Sequence, residues 1–157
     1  MPVQQKPVAH LLRDIALQAV HRELRAHYRP SEALGAGPGG HGRQWDFVLR
    51  DGLDNLAQAV IARVLTPRGE LAALGHPDYG SRVPELIGAG NTASSRALLR
   101  LHLLDALARE PRIAEVKALD IGPAVGRRDS VQVRLEVLPV QASATLVIGP
   151  FTLDLGP

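Results

Sequence analysis

Apolar residues recur at spacings of three and four along the first two thirds of the chain and at a spacing of two along the last third. Between residues 8 and 28, Val8, Leu11, Leu12, Ile15, Ala19, Val20 and Leu24 form one stripe, with Arg13, Arg22, Glu23 and Arg25 opposite. That pattern predicts an amphipathic helix. A second helix is expected from Asp51, a candidate N-cap, with Leu53, Leu56, Ala57, Val60, Ile61, Val64 and Leu65 on its core face. A third begins at Asn91 or Thr92 and carries Leu98, Leu99, Leu101, Leu103, Leu104 and Leu107. It is apolar on most sides, so heavy burial is expected. It stops where Glu110 precedes Pro111, because proline disfavours helix in the residue before it.

Beyond Pro111 the period changes. A strand over residues 114–121 and a loop over 122–129 are followed by Val131, Val133, Leu135 and Val137 alternating with Gln132, Arg134 and Glu136. Phe151, Leu153 and Leu155 alternate in the same way with Thr152 and Asp154. Helices followed by an antiparallel sheet make an α+β domain. Two interruptions punctuate the helical part. The glycine tract from Gly35 to Gly42, which contains Pro38, cannot hold regular structure and reads as a flexible linker. The stretch from Thr66-Pro67-Arg68-Gly69 to His76-Pro77-Asp78-Tyr79-Gly80 carries several turn signals. The expected organisation is therefore an N-terminal helix on a glycine-rich linker, residues 1–45, ahead of the main domain, residues 46–157.

Composition changes this picture only at the margins. The chain has 157 residues, room for one domain with an appendage, and its apolar share of 45% is that of a globular protein. Aromatics are only 3%, so aliphatic side chains fill the core. Cysteine is absent, which removes disulfides and thiolate metal sites and fits a reducing compartment. The opening residues lack the apolar stretch of an export signal, and no run approaches the roughly 20 apolar residues of a membrane span. A cytoplasmic protein with no direct membrane insertion is expected. The pI of 9.5 suggests nucleic acid, but the net charge is only +2 and acids are interspersed throughout, so no nucleic-acid partner is expected.

Candidate chemistry is sparse. Gly35, Gly37 and Gly40 match G-x-G-x-x-G, yet the tract follows a predicted helix and no βαβ unit surrounds it, so the linker reading stands and no cofactor is expected. His21 and His27 are not spaced as paired ligands on a helix, which leaves no metal site and favours surface histidines. No Gly-x-Ser-x-Gly elbow occurs. Glycoside hydrolysis requires two converging carboxylates, one with a raised pKa. Glu70, Asp78, Glu85 and Glu110 are candidates, but no pair can be singled out and substrate-binding aromatics are nearly lacking. No catalytic residue is assigned. The sharpest local signal is Glu110-Pro111-Arg112, a rigid corner between helix and sheet; taken alone, it reads as a helix stop with an intramolecular ion pair.

Three stretches in order carry more information than any one of them: Leu65-Thr66-Pro67-Arg68-Gly69-Glu70, then Pro77-Asp78-Tyr79-Gly80, then the leucine helix ending in Glu110-Pro111-Arg112-Ile113. Over residues 47–155 they resemble the T-even phage baseplate wedge protein called gene product twenty-five and its relatives in type VI secretion and extracellular contractile injection particles. The resemblance implies a structural, non-enzymatic baseplate component and sheath initiator. Six copies would surround the tube, joined to wedge (core-bundle) proteins, to sheath subunits and to the inner tube or spike hub. Glu110, Pro111 and Arg112 would then form the wedge interface. The strands bearing Val131, Val133, Leu135, Val137, Leu146, Ile148, Phe151, Leu153 and Leu155 would face the sheath, their edge accepting a sheath strand through main-chain hydrogen bonds. Such proteins are often labelled lysozyme-like, so a muramidase-type peptidoglycan hydrolase is the alternative. The first 45 residues depart from the shared core, and their helix would dock either on a neighbouring subunit, tube or wedge protein, or on its own domain. The resemblance does not choose among phage tail, type VI system and extracellular particle.

Overall fold

The computed structural model describes residues 11–22, 25–36 and 43–156. The chain divides into two compact units, Met1–Gln58 and Ala59–Pro157. This boundary falls further along the chain than the 45/46 junction expected from the glycine tract, within the first helix of the structure.

The first unit corrects one expectation. In place of an amphipathic helix over residues 8–28 the backbone is extended, with β1 (Arg13–Ile15), β2 (Leu17–Arg22) and β3 (Arg25–Pro30). Residues 8–10 and 23–24 lie outside the described residues. Strand β2 pairs antiparallel with β3, from Leu17↔Pro30 to Arg22↔Arg25, and β1 pairs with β6 (Leu49–Asp51). The hairpin of β4 (Glu32–Ala36) and β5 (Arg43–Phe47) takes in the two ends of the expected linker, and residues 37–42 between them lie outside the described residues. Helix propensity is a weak prior, and tertiary partners override it here. The Gln58 side chain donates to Ile15 O (2.9 Å) and accepts from Leu17 N (2.7 Å), and Asn55 donates to Leu11 O (2.9 Å). Where the three strand pairs meet, Ala16, Ser31 and Val48 close a ring of backbone hydrogen bonds: Ala16 N to Val48 O, Val48 N to Ser31 O and Ser31 N to Ala16 O.

Helix α1 (Gly52–Leu65) carries the expected stripe, with Leu56, Val60 and Val64 fully buried. Asp51, the candidate cap, ends β6 and accepts from Arg13 at 3.0 Å. In the second unit two short 3-10 turns, Ala72–Leu74 and Val83–Leu86, lead to α2 (Ala93–Ala108). Thr92 caps α2, its hydroxyl accepting from Ser95 N at 3.0 Å and so satisfying one of the free amides of the first turn.

After the corner come β7 (Ile113–Pro123), β8 (Ser130–Pro139) and β9 (Leu146–Asp154), an antiparallel meander in the order β7-β8-β9. Val131, Val133, Leu135 and Val137 of the central strand point into the core, together with Leu99, Leu103, Ala106 and Leu107 of α2 and with Val83 and Leu86. The period-two reading of β8 thus corresponds to its buried face. Strand β9 bulges between the partners of Val133 and Leu135, at Gly149. A side chain there would lie 2.7 Å from Val133 O, so only glycine admits this approach. Among the described residues, no helix is long and apolar enough to cross a membrane.

Candidate functional site: a braced corner between helix and sheet

Helix α2 ends because Pro111 cannot continue it. Arg109 N donates to Ala106 O, Glu110 N to Leu107 O, and Ile113 N to Glu110 O, so the exit is a closed turn. Val140 N then donates to Arg112 O at 2.9 Å and ties the corner to the end of β8. The backbone aims two charged side chains in one direction: inward. Glu110 is 3% exposed, Arg112 half-buried and Pro111 exposed.

The Glu110 carboxylate is shared by two arginines. Arg112 Nε reaches Oε1 at 2.6 Å and Arg63 Nη2 reaches Oε2 at 3.3 Å. Arg63, on the last turn of α1, has a side chain only 11% exposed, and its guanidinium lies 4.5 Å from the centre of the Tyr79 ring. Burial pushes the Glu110 carboxyl upward, but the hydrogen bond and charge of Arg112, then the charge of Arg63, outweigh it and hold the group below its ordinary range.

Tyr79 is held by the turn that the sequence marked as irregular. Arg68 N donates to Ser81 O and Ser81 N to Thr66 O, both at 2.8 Å, so 66–69 and 79–81 run side by side. Gly80 makes this possible. Its φ is +99°, and a Cβ would fall 2.6 Å from Thr66 O. The buried Ser81 hydroxyl donates to Val64 O and accepts from Val83 N, which locks the turn to the end of α1. A second ion cluster lies nearby in sequence and structure: Arg68 and Arg109 both hold Asp105, the latter at 3.2 Å. The hydrogen bond from Arg68 is the main reason the Asp105 carboxyl is lowered, against its partial burial and with help from Arg109.

The three sequence stretches thus converge, through Arg63, Tyr79, Gly80, Glu110 and Arg112, on one corner. The intramolecular pair expected from the tripeptide alone is present, with the buried Glu110 carboxylate held between Arg112 and Arg63. Sequence reasoning missed Arg63, Arg68, Ser81, Asp105 and Arg109. Asp105 and Arg109 sit at i, i+4 on one helix, a legible signal; the others are joined only by the fold. Of the candidate acids, Glu70, Asp78 and Glu85 are exposed, and Arg82 holds the Glu85 carboxyl low by a hydrogen bond. A glycosidase acid requires the opposite shift, so neither Glu85 nor Glu110 is poised to donate a proton at neutral pH. Among the described residues, no three His, Cys, Asp or Glu gather as metal ligands.

The strands expected to face the sheath are placed with equal clarity. Strand β8 is central, hydrogen-bonded on both sides, and the side chains of Val131, Val133, Leu135 and Val137 are enclosed. In and after β9, Ile148, Leu153 and Leu155 are buried while Leu146 and Phe151 are half-buried. The outer edges of β7 and β9 are occupied by no strand among the described residues.

These features define an α+β domain in which a helix packs on an antiparallel meander and a braced corner joins the two. A crystal structure of a Geobacter sulfurreducens protein described as a "putative tail lysozyme" has this fold: it aligns with a TM-score of 0.55 at 20% identity, over 71% of this chain and 98% of its own. No family model and no curated protein matches the chain.

Proposed function

We propose that this chain is a non-enzymatic baseplate component of a contractile injection machine, joining wedge proteins to the first sheath ring. The observation that carries the reading is the convergence of all three wedge-like stretches on the corner. A turn that admits only glycine positions Tyr79, Tyr79 carries Arg63, and Arg63 with Glu110 aims Arg112 beside the exposed Pro111. A buried ion pair is weak evidence for stability but a good means of fixing geometry, and an arginine anchored through Nε to a buried carboxylate has a defined aim. The open edge of β9 suits a sheath strand added by main-chain hydrogen bonds. The tail protein that shares the fold supports the setting.

The test is assembly. Arg112→Lys keeps a positive charge beside Glu110 but removes the guanidinium fork, and cells carrying it are expected to show fewer sheaths attached to baseplates in electron micrographs while the purified variant stays folded. Normal sheaths would remove the corner from the interface. The muramidase alternative predicts that purified protein clears peptidoglycan between about pH 4 and 8. No clearing is expected, and clearing abolished by a single Asp or Glu substitution would replace the structural reading with an enzymatic one.

A further inference from the structure

Asp51-Gly52 is the single Asp-Gly step in the chain, and every other aspartate precedes a residue with a side chain. A glycine in second place leaves its amide nitrogen sterically open to the aspartyl carboxyl. The structure sets this step at a seam, with Asp51 the last residue of β6 and Gly52 the first of α1. The Asp51 side chain is 68% exposed, and Arg13, itself 63% exposed, reaches it at 3.0 Å. An ion pair so open to water holds weakly. Gly52 adopts φ +58°, and a side chain built there would meet nothing within 4 Å, so backbone conformation requires the glycine while the space around it stays open. Its N–H, the first of the helix, has no acceptor within α1.

One barrier stands between these two groups. In the strand, the extended backbone of Asp51 keeps Gly52 N away from Cγ, and bringing them together requires rotation about the Asp51 Cα–C bond. That rotation breaks the Arg13↔Asp51 pair and leaves Asp14↔Arg50 and Ile15↔Leu49 in place. The end pair of a short two-stranded ladder is where opening begins.

We propose that Asp51 is a site of spontaneous isoaspartate formation, gated by Arg13 and by the end pair of the β1/β6 ladder, and that the modified chain releases β1. Gly52 N attacks Asp51 Cγ. The N–Cγ bond forms, a Cγ–O bond breaks, and the oxygen leaves as water with its own proton and that of the amide. Water then opens the cyclic imide. Attack at Cγ restores aspartate, whereas attack at the main-chain carbonyl carbon leaves the chain running through Cβ and Cγ, with no net change of mass and no co-reactant beyond water. Arg13 slows the first step because it pairs with the ionised carboxylate, whose carbon is the poorer electrophile. The product carries an extra methylene in the main chain just ahead of Asn55 and Gln58, which hold Leu11 O, Ile15 O and Leu17 N. With that seam lengthened, these bonds and the β1/β6 register no longer fit together, and β1 loosens.

The test is to hold the full-length protein at neutral pH and physiological temperature for weeks, and to follow the tryptic peptides that span Asp51 by chromatography and mass spectrometry. A second species of unchanged mass and altered elution is expected, preceded by a trace one water lighter. The aged protein is also expected to take up labelled methyl groups from S-adenosylmethionine in the presence of an isoaspartate-specific carboxyl methyltransferase. Asp51→Glu, which keeps the charge beside Arg13 but disfavours the cyclic imide, should abolish both signals, and Arg13→Gln should raise the modified fraction severalfold. In the aged protein, amide hydrogen exchange over β1 should be faster than in fresh protein. A single species without methyl uptake overturns the proposal, as does uptake that persists in D51E, which would place the lesion elsewhere. An unchanged rate in R13Q removes the gate, and equal exchange over β1 in fresh and aged protein removes the release of the strand.

Discussion

At the scale of single residues, Glu110 and Gly80 bear the most weight. Replacing Glu110 by Ala leaves Arg63 and Arg112 charged in a buried setting, a loss of about 3 kcal/mol or more. Denaturant titration reads this directly, and an unchanged midpoint would refute the brace. Acid should expose the same pair. Because the folded pKa of Glu110 lies below its unfolded value, its stabilisation is complete above about pH 4.3 and is lost as the pH falls through the folded value. Wild type is therefore expected to lose urea resistance below about pH 4.3 more steeply than Glu110→Gln; parallel curves would contradict the pairing. Gly80→Ala combines a left-handed backbone with a carbonyl clash and should cost at least about 1 kcal/mol. A neutral result would mean that the Thr66 to Ser81 turn relaxes freely. The residue scale was also where reading the sequence was weakest. Glu110 and Arg112 were legible as a pair because two positions separate them, but Arg63 lies 47 residues from Glu110, and no local pattern joins them. Likewise His102, expected on the surface with the other histidines, is buried on the core side of α2.

At the scale of elements, α2 is both the best and the least well anticipated. Its limits came out within two residues, since Thr92 and Pro111 act locally through one hydrogen bond and one missing donor. Thr92→Ala is expected to destabilise by about 1 kcal/mol, seen as a lower thermal midpoint; no change would show that Ser95 N finds another acceptor. Its burial was expected on most sides and is realised on one. An apolar helix face does not reveal whether its own chain or another covers it, because both look alike in sequence. Strand β8 gives the converse lesson. Alternation correctly marked its inward residues, yet only the pairing order made it central and left β7 and β9 as edges.

At the scale of the whole molecule, the shared fold spans 98% of the Geobacter protein but 71% of this chain, so that fold is complete without part of this sequence. A fragment of residues 46–157 keeps α1, the corner and the meander, and is expected to unfold cooperatively in urea with a near-native far-ultraviolet spectrum. A broad, non-cooperative transition would show that the first unit supplies core to the second.

What the sequence determined by itself was everything enforced within a few residues: two helices with their buried stripes, the stop at Pro111, the alternation in β8 and the α+β order of elements. The tertiary structure alone decided that residues 13–15, 17–22 and 25–30 pair as strands, because Asn55, Gln58 and partner strands take up backbone groups of this region. It alone decided that Glu110 turns inward to Arg63, because that contact joins distant points of the chain through Tyr79 and Gly80. Local steric and hydrogen-bonding rules act at short separation along the chain, whereas strand order, charge pairing and the choice of buried face are set by which distant segments meet.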